Sequence, residues 1–199
     1  MSKSKLVIYS DYIWPYCYIG MGIVDKLSEE FDLDIKWHSF EIHPETPPEG
    51  VDLEKRFGIE MLGNSLINLK SRGKNLNLKF GELKYMPNSN LAHQLSLYAK
   101  DMGVFDSIHS KLMTAYFKDL KDIGSLEVLI DISRSVGLDS METYKILSKN
   151  TYKKEVDRLS SVAINDGITS TPTFIINDTK VFSGAQPLDY FRNILKDLK

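Results

Sequence analysis

The sequence predicts an α/β fold in which strands from both ends of the chain flank an all-helical insertion, and three observations predict it. Leu6 to Ser10 (LVIYS) is a compact apolar run, followed at once by helix-spaced residues and then by an alternating segment. From about Asp52 to Lys149 helical spacing runs without a competing strand signal. After Gly167 the β-branched and aromatic run Thr173 to Ile176 brings strand composition back, and a last amphipathic segment follows it.

The elements follow in order. Leu6 to Ser10 predicts a buried strand. Met21, Ile23, Val24 and Leu27 share one helix face, and Pro15 suits the first turn, where a missing N–H costs nothing. Leu33 to Phe40 predicts a second strand, with Leu33, Ile35 and Trp37 on one side and Asp34, Lys36 and His38 on the other. A strand, a helix and a strand within forty residues predict a parallel pair joined by a right-handed crossover. The segment 43–50 is too rich in proline to continue a sheet and marks a boundary. Beyond it, Leu53, Phe57, Met61 and Leu66 predict a first helix, and Leu91, Leu95, Tyr98, Ala99 and Met102 a helix stopped by Gly103. Phe105, Ile108, Leu112 and Ala115 predict the next helix, and Ser125 caps one that ends at Gly137. Asp139 and Glu142 have capping-box spacing. Tyr152 to Asp166 predicts a helix closed by Gly167, Val181 to Ser183 a hairpin partner for Thr173 to Ile176, and Pro187 the start of a final helix bearing Leu188, Phe191, Leu195 and Leu198. The expected organisation is a discontinuous domain of residues 1–44 and 150–199 around an insertion of 45–149.

Composition narrows the function. The chain has 199 residues and a net charge of -2, which gives no footprint for nucleic acid or a membrane surface. No apolar run approaches the ~18 residues of a membrane span. The opening MSKSK leads into only five strand residues, which predicts no secretory signal. A single cysteine, Cys17, excludes an intramolecular disulfide, and a cytoplasmic location is the expectation. The four histidines form no i,i+4 pair and the lone cysteine no zinc half-site, so no metal is expected.

Several motifs carry a resemblance. Asp11, Pro15 and Cys17-Tyr18-Ile19-Gly20 match Asp-x-x-Cys-Pro-Trp-Cys-Tyr-Ile-Gly of the DsbA family in its cytoplasmic FrnE-like branch, except that Trp14 and Tyr16 replace the first Cys and the Trp. Residues 88–99 (NSNLAHQLSLYA), Ala115-Tyr116-Phe117, Gly167-Ile168-Thr169, Thr171-Pro172-Thr173-Phe174 and Ser183-Gly184-Ala185-Gln186-Pro187 are similar as well. The resemblance implies a thioredoxin fold (β-α-β, helical insertion, α-β-β-α). It also implies a cis Pro172 opposite the cysteine, with Thr171 backbone groups docking an extended substrate, and a homodimer joined through the helical layer. In those oxidoreductases the first Cys of Cys-x-x-Cys attacks and the second resolves the mixed disulfide. Here Trp14 stands at the first position, so a two-cysteine cycle within the chain is impossible. Kappa-class glutathione transferases and 2-hydroxychromene-2-carboxylate isomerases are also similar in layout, with Ser-Pro-Tyr at this turn. Trp14-Pro15-Tyr16 keeps their Pro-Tyr and lacks their hydroxyl.

Three functions are open at this stage. Cys17 is a monothiol forming mixed disulfides, its pKa lowered by the helix N-terminus. Or the chain is a glutathione-dependent transferase or isomerase acting on an apolar aromatic substrate. Or the chemistry is lost and the cleft only binds. The candidate site residues are Cys17 and Trp14, with Pro15, Tyr16, Thr171, Pro172, Asp11, Tyr12 and His93 as substrate contacts. Tyr12, Trp14 and Tyr16 are read as cleft aromatics, Tyr18 as a packing residue, and no cofactor but glutathione is expected.

Overall fold

The computed structural model describes residues 3–198; Met1, Ser2 and Lys199 lie outside it, and with them the first two residues of the MSKSK segment. The chain opens with β1 (Ser4–Ser10), α1 (Pro15–Ser28) and β2 (Leu33–Ser39). Its middle holds β3 (Val51–Asp52), α2 (Leu53–Phe57), α3 (Ile59–Lys74), β4 (Tyr85–Met86), α4 (Asn90–Asp101), α5 (Phe105–Phe117), α6 (Leu126–Arg134) and α7 (Ser140–Ser148). It closes with α8 (Lys153–Asn165), β5 (Thr173–Ile176), β6 (Lys180–Ser183) and α9 (Leu188–Asp197).

The main sheet has the order β2-β1-β5-β6. β1 pairs parallel with β2, Ile8 opposite Trp37, and antiparallel with β5, Ile8 opposite Phe174. A strand paired on both edges and covered by helices loses its polar alternation, which is why LVIYS is nearly continuous in apolar residues. Leu6, Ile8, Ile19, Leu27, Phe174, Phe191 and Leu195 form the centre of the core, and the Phe174 and Phe191 rings meet edge to face at 4.8 Å. Gly20 lets α1 lie close on this sheet. A Cβ there would come within 3.2 Å of Phe174 and 3.5 Å of the Pro172 ring.

The middle of the chain departs from the sequence expectation in two places. Val51–Asp52 and Tyr85–Met86 form a two-stranded ladder that helical periodicity cannot reveal, because two residues are too few to show alternation. The helix expected through Leu53, Phe57, Met61 and Leu66 is broken at Gly58, whose φ of +82° lies in the left-handed region that glycine tolerates. Ser125 stands at the N-cap of α6 without a side-chain bond, whereas Asp139 accepts from the Glu142 N–H at 2.7 Å. Pro187 is the N-cap of α9, at the start of the helix as expected. Among the described residues no helix is long and apolar enough to cross a membrane.

Candidate functional site

The turn from β1 into α1 is fixed by Trp14 and Pro15. Trp14 is the N-cap in extended backbone (φ −93°, ψ 115°), Pro15 is the first helical residue, and the Trp14 carbonyl accepts the Cys17 N–H at 2.8 Å. The helix therefore aims Trp14 and Tyr16 outward at its tip and turns Cys17 inward.

Cys17 is fully buried, and its Sγ accepts the Asp11 backbone N–H at 3.4 Å. Burial pushes the thiol up to about 12, outweighing the Asp11 bond and the neighbouring Ser10 and Thr171 hydroxyls that favour the anion. This corrects the expected lowering. The field at a helix N-terminus is worth roughly 0.3–1 kcal/mol, and removing a thiolate from water costs more than that. The Ser10 and Thr171 hydroxyls beside the thiol have no other partner.

Asp11 and His93 meet behind the turn, both with side chains 0% exposed, at 3.1 Å. The carboxylate also accepts the Ile42 N–H at 2.7 Å and the Ile13 N–H at 3.3 Å. Burial works to raise the Asp11 carboxyl, but the His93 bond and charge, with the Ile42 N–H, hold it below the usual carboxylate range. Tyr12 is buried as well, its hydroxyl 3.1 Å from His109 Nδ1. His109 lies against Trp37 and Phe105, and burial holds it down to about 3. Asp11, Tyr12 and His93 are thus interior supports of the turn, not cleft contacts as expected, because each spends its polar group on a buried partner.

The open feature at the tip of α1 is an apolar cavity of about 200 Å³. Trp14, Pro15 and Tyr16 form one wall, Phe57 of α2 and Met61 and Leu66 of α3 another, and Met86 and Tyr116 close it. Among the described residues no charged side chain lines it. Its hydroxyl-bearing residues are Tyr16, Ser65 and Tyr116, and the Tyr116 hydroxyl already donates to the Tyr85 carbonyl at 2.9 Å.

Of the candidate residues, Trp14, Pro15 and Tyr16 share this cavity. Thr171 and Pro172 do not: they are buried beside Gly20, with the Thr171–Pro172 peptide bond cis, and neither lines the cavity. Tyr18 stacks on Phe117 at 5.1 Å and meets Phe80 edge to face. Sequence reading missed the α2–α3 wall, although Phe57, Met61 and Leu66 were legible as one apolar helix face. It also missed Glu41, a buried carboxylate at the end of β2 whose signal was an acidic residue between Phe40 and Ile42.

A model of the DSBA-like thioredoxin domain matches residues 5–196. YwbO of Bacillus subtilis (strain 168), an uncharacterized protein, is 26% identical over 191 residues, 96% of this chain and 94% of YwbO. A Streptomyces coelicolor protein described as a "probable DsbA oxidoreductase" superposes with a TM-score of 0.88 at 23% identity, covering 98% of this chain and 89% of that one. A 2-hydroxychromene-2-carboxylate isomerase superposes with a TM-score of 0.78 at 15% identity, covering 98% and 95%.

Proposed function

The chain belongs to the DSBA-like thioredoxin domain family, and on that footing we propose that it binds an uncharged aromatic or apolar small molecule at the tip of α1 and does not exchange disulfides through Cys17. The observation that carries this reading is the pairing of a sealed thiol with an open, uncharged cavity on the same turn. Thiol exchange needs an accessible thiolate, and Cys17 offers neither access nor a low pKa. Acid–base catalysis most often uses a histidine, carboxylate, lysine or cysteine within reach, and among the described residues none of these lines the cavity. Binding is what remains. An apolar cavity of about 150 Å³ holds benzene, so one of about 200 Å³ admits a substituted single ring. Trp14 and Tyr16, whose ring centroids lie 6.4 Å apart, supply faces for it.

A second reading rests on Arg72. Its guanidinium carbon lies 5.5 Å from the Tyr16 ring centroid, and with Asn75 and Gln186 it lines an adjoining groove. A glutathione-type ligand would set a carboxylate there and its thiol at the helix tip, where the ligand and not Cys17 brings the sulfur.

The test is titration with 4-ethylphenol, followed by the Trp14 indole N–H in nuclear magnetic resonance spectra. The reading expects saturable binding that Cys17→Ser retains and Met61→Glu, at an exposed rim position, abolishes. Glutathione binding that Arg72→Gln removes would select the second reading. Rapid modification of native Cys17 with a midpoint below about 8.5 would overturn both in favour of monothiol chemistry.

A further inference from the structure

A second cavity, of about 420 Å³, shares no lining residue with the first and is built around Glu41. We propose that it binds a small alkylammonium cation on the Glu41 carboxylate. Glu41 is 6% exposed, and Asn90 Nδ2 donates to its Oε2 at 3.0 Å. Its Oε1 takes no hydrogen bond from the described residues and is not among the sealed polar atoms, so it opens on the cavity and is available to whatever enters. The one cation in the lining, Lys153, is held by both oxygens of Asp157 at 3.1 and 2.9 Å and does not reach Glu41 with a hydrogen bond.

A carboxylate largely withdrawn from water gains most from a cationic donor, whose hydrogen bond is charge-assisted. The walls suit the rest of such a ligand. Leu126 and Leu147 give apolar surface for a short alkyl stem, and the Asn90 and Asn150 side chains bring amides to the same cavity. Burial, with the Asp11 and Asp157 charges, pushes the Glu41 carboxyl up, and His93 and Asn90 offset this only in part. An anion is excluded by the same carboxylate and by Asp157 at the rim. A neutral alcohol would gain the walls but not the charge.

n-Butylammonium chloride titrated into the full chain at neutral pH, with the Asn90 side-chain amide signals as readout, tests the site. Saturable shifts are expected with n-butylammonium, and n-butanol and sodium butyrate should leave these signals in place. Glu41→Gln keeps the shape and the acceptor for Asn90, and should weaken n-butylammonium binding at least tenfold. The proposal fails if n-butanol binds as tightly, if Glu41→Gln binds with unchanged affinity, or if the shifts centre on Trp14 and not on Asn90. Should Glu41→Gln not fold, the wild-type comparison of n-butylammonium with n-butanol decides alone.

Discussion

The Asp11 backbone N–H donates to the Cys17 sulfur at 3.4 Å, while the Asp11 carboxylate holds His93 at 3.1 Å. One residue thus anchors the thiol with its main chain and the insertion helix α4 with its side chain. In this position Cys17 is an acceptor in a dry interior. Its reaction with 5,5′-dithiobis(2-nitrobenzoate) at pH 7 should be slow in the native protein and fast once denaturant unfolds it. The raised thiol pKa sets a second expectation. The thiol of the unfolded chain ionises near its ordinary value of 9.0 and the native one only at about 12. Stability from this group is therefore full below pH 9 and is lost as pH rises toward 12. Denaturation midpoints between pH 8 and 11 would show the decline, and Cys17→Ala should flatten it.

Trp14→Cys would restore a Cys-Pro-Tyr-Cys turn. The new thiol would sit at the N-cap, outside the sealed interior, and meet unpaired N–H groups that favour a thiolate. The variant is expected to reduce insulin disulfides with wild-type protein as the inactive control. A variant that folds but stays inactive would mean that the neighbouring surface no longer admits a disulfide. Trp14→Ala, in contrast, should leave thiol reactivity unchanged and weaken 4-ethylphenol binding about tenfold, since one ring face is worth roughly 1 kcal/mol or more.

These expectations separate what was legible in the sequence from what was not. The order of strands and helices was written in periodicity, and the DsbA-like motifs from Asp11 to Gly20 and around Thr171-Pro172 carried the family. The two-residue ladder of Val51 with Met86 was not legible, because so short a pairing leaves no period. The break at Gly58 was readable only as a glycine inside an apolar stripe. The direction of Cys17 was the larger loss. Its position in the first turn of α1 argued for the helix dipole, but whether a side chain at that position meets water depends on Ser10, at the end of β1, and on Thr171, distant in the chain. Burial of Asp11 and His93 was hidden for the same reason: 82 residues separate them, and only the fold brings them together.

The Asp11–His93 pair should be costly to break. Asp11→Ala removes the acceptor for His93 and for the Ile42 and Ile13 N–H groups, leaving two buried donors and one part-buried donor without partners. Removing one partner of a buried pair costs about 3–5 kcal/mol, so the urea midpoint should fall sharply with the fold retained. A merely solvated pair would cost about 1 kcal/mol or less. The double variant Asp11→Ala with His93→Leu should recover part of the loss, because it removes the orphaned imidazole as well.

His109 makes the protein acid-sensitive. Burial, helped by the charge of His93, holds the ring down to about 3, whereas the unfolded chain protonates it near the ordinary value of 6.5. Between those limits the unfolded state carries the extra proton, so stability is full above pH 6.5 and falls as pH drops, at about 1.4 kcal/mol per pH unit once the unfolded ring is fully charged. The lowered Asp11 carboxyl adds a loss of the same sign only below the ordinary aspartate value of 3.8. His109→Gln keeps a neutral group in reach of the Tyr12 hydroxyl and removes the titration. Its stability should fall below wild type at pH 7, and the gap should close as pH falls from 6.5 toward 4.5. Parallel curves for the two proteins over that range would show that His109 is charged in the native state and that its burial is not what sets its pKa.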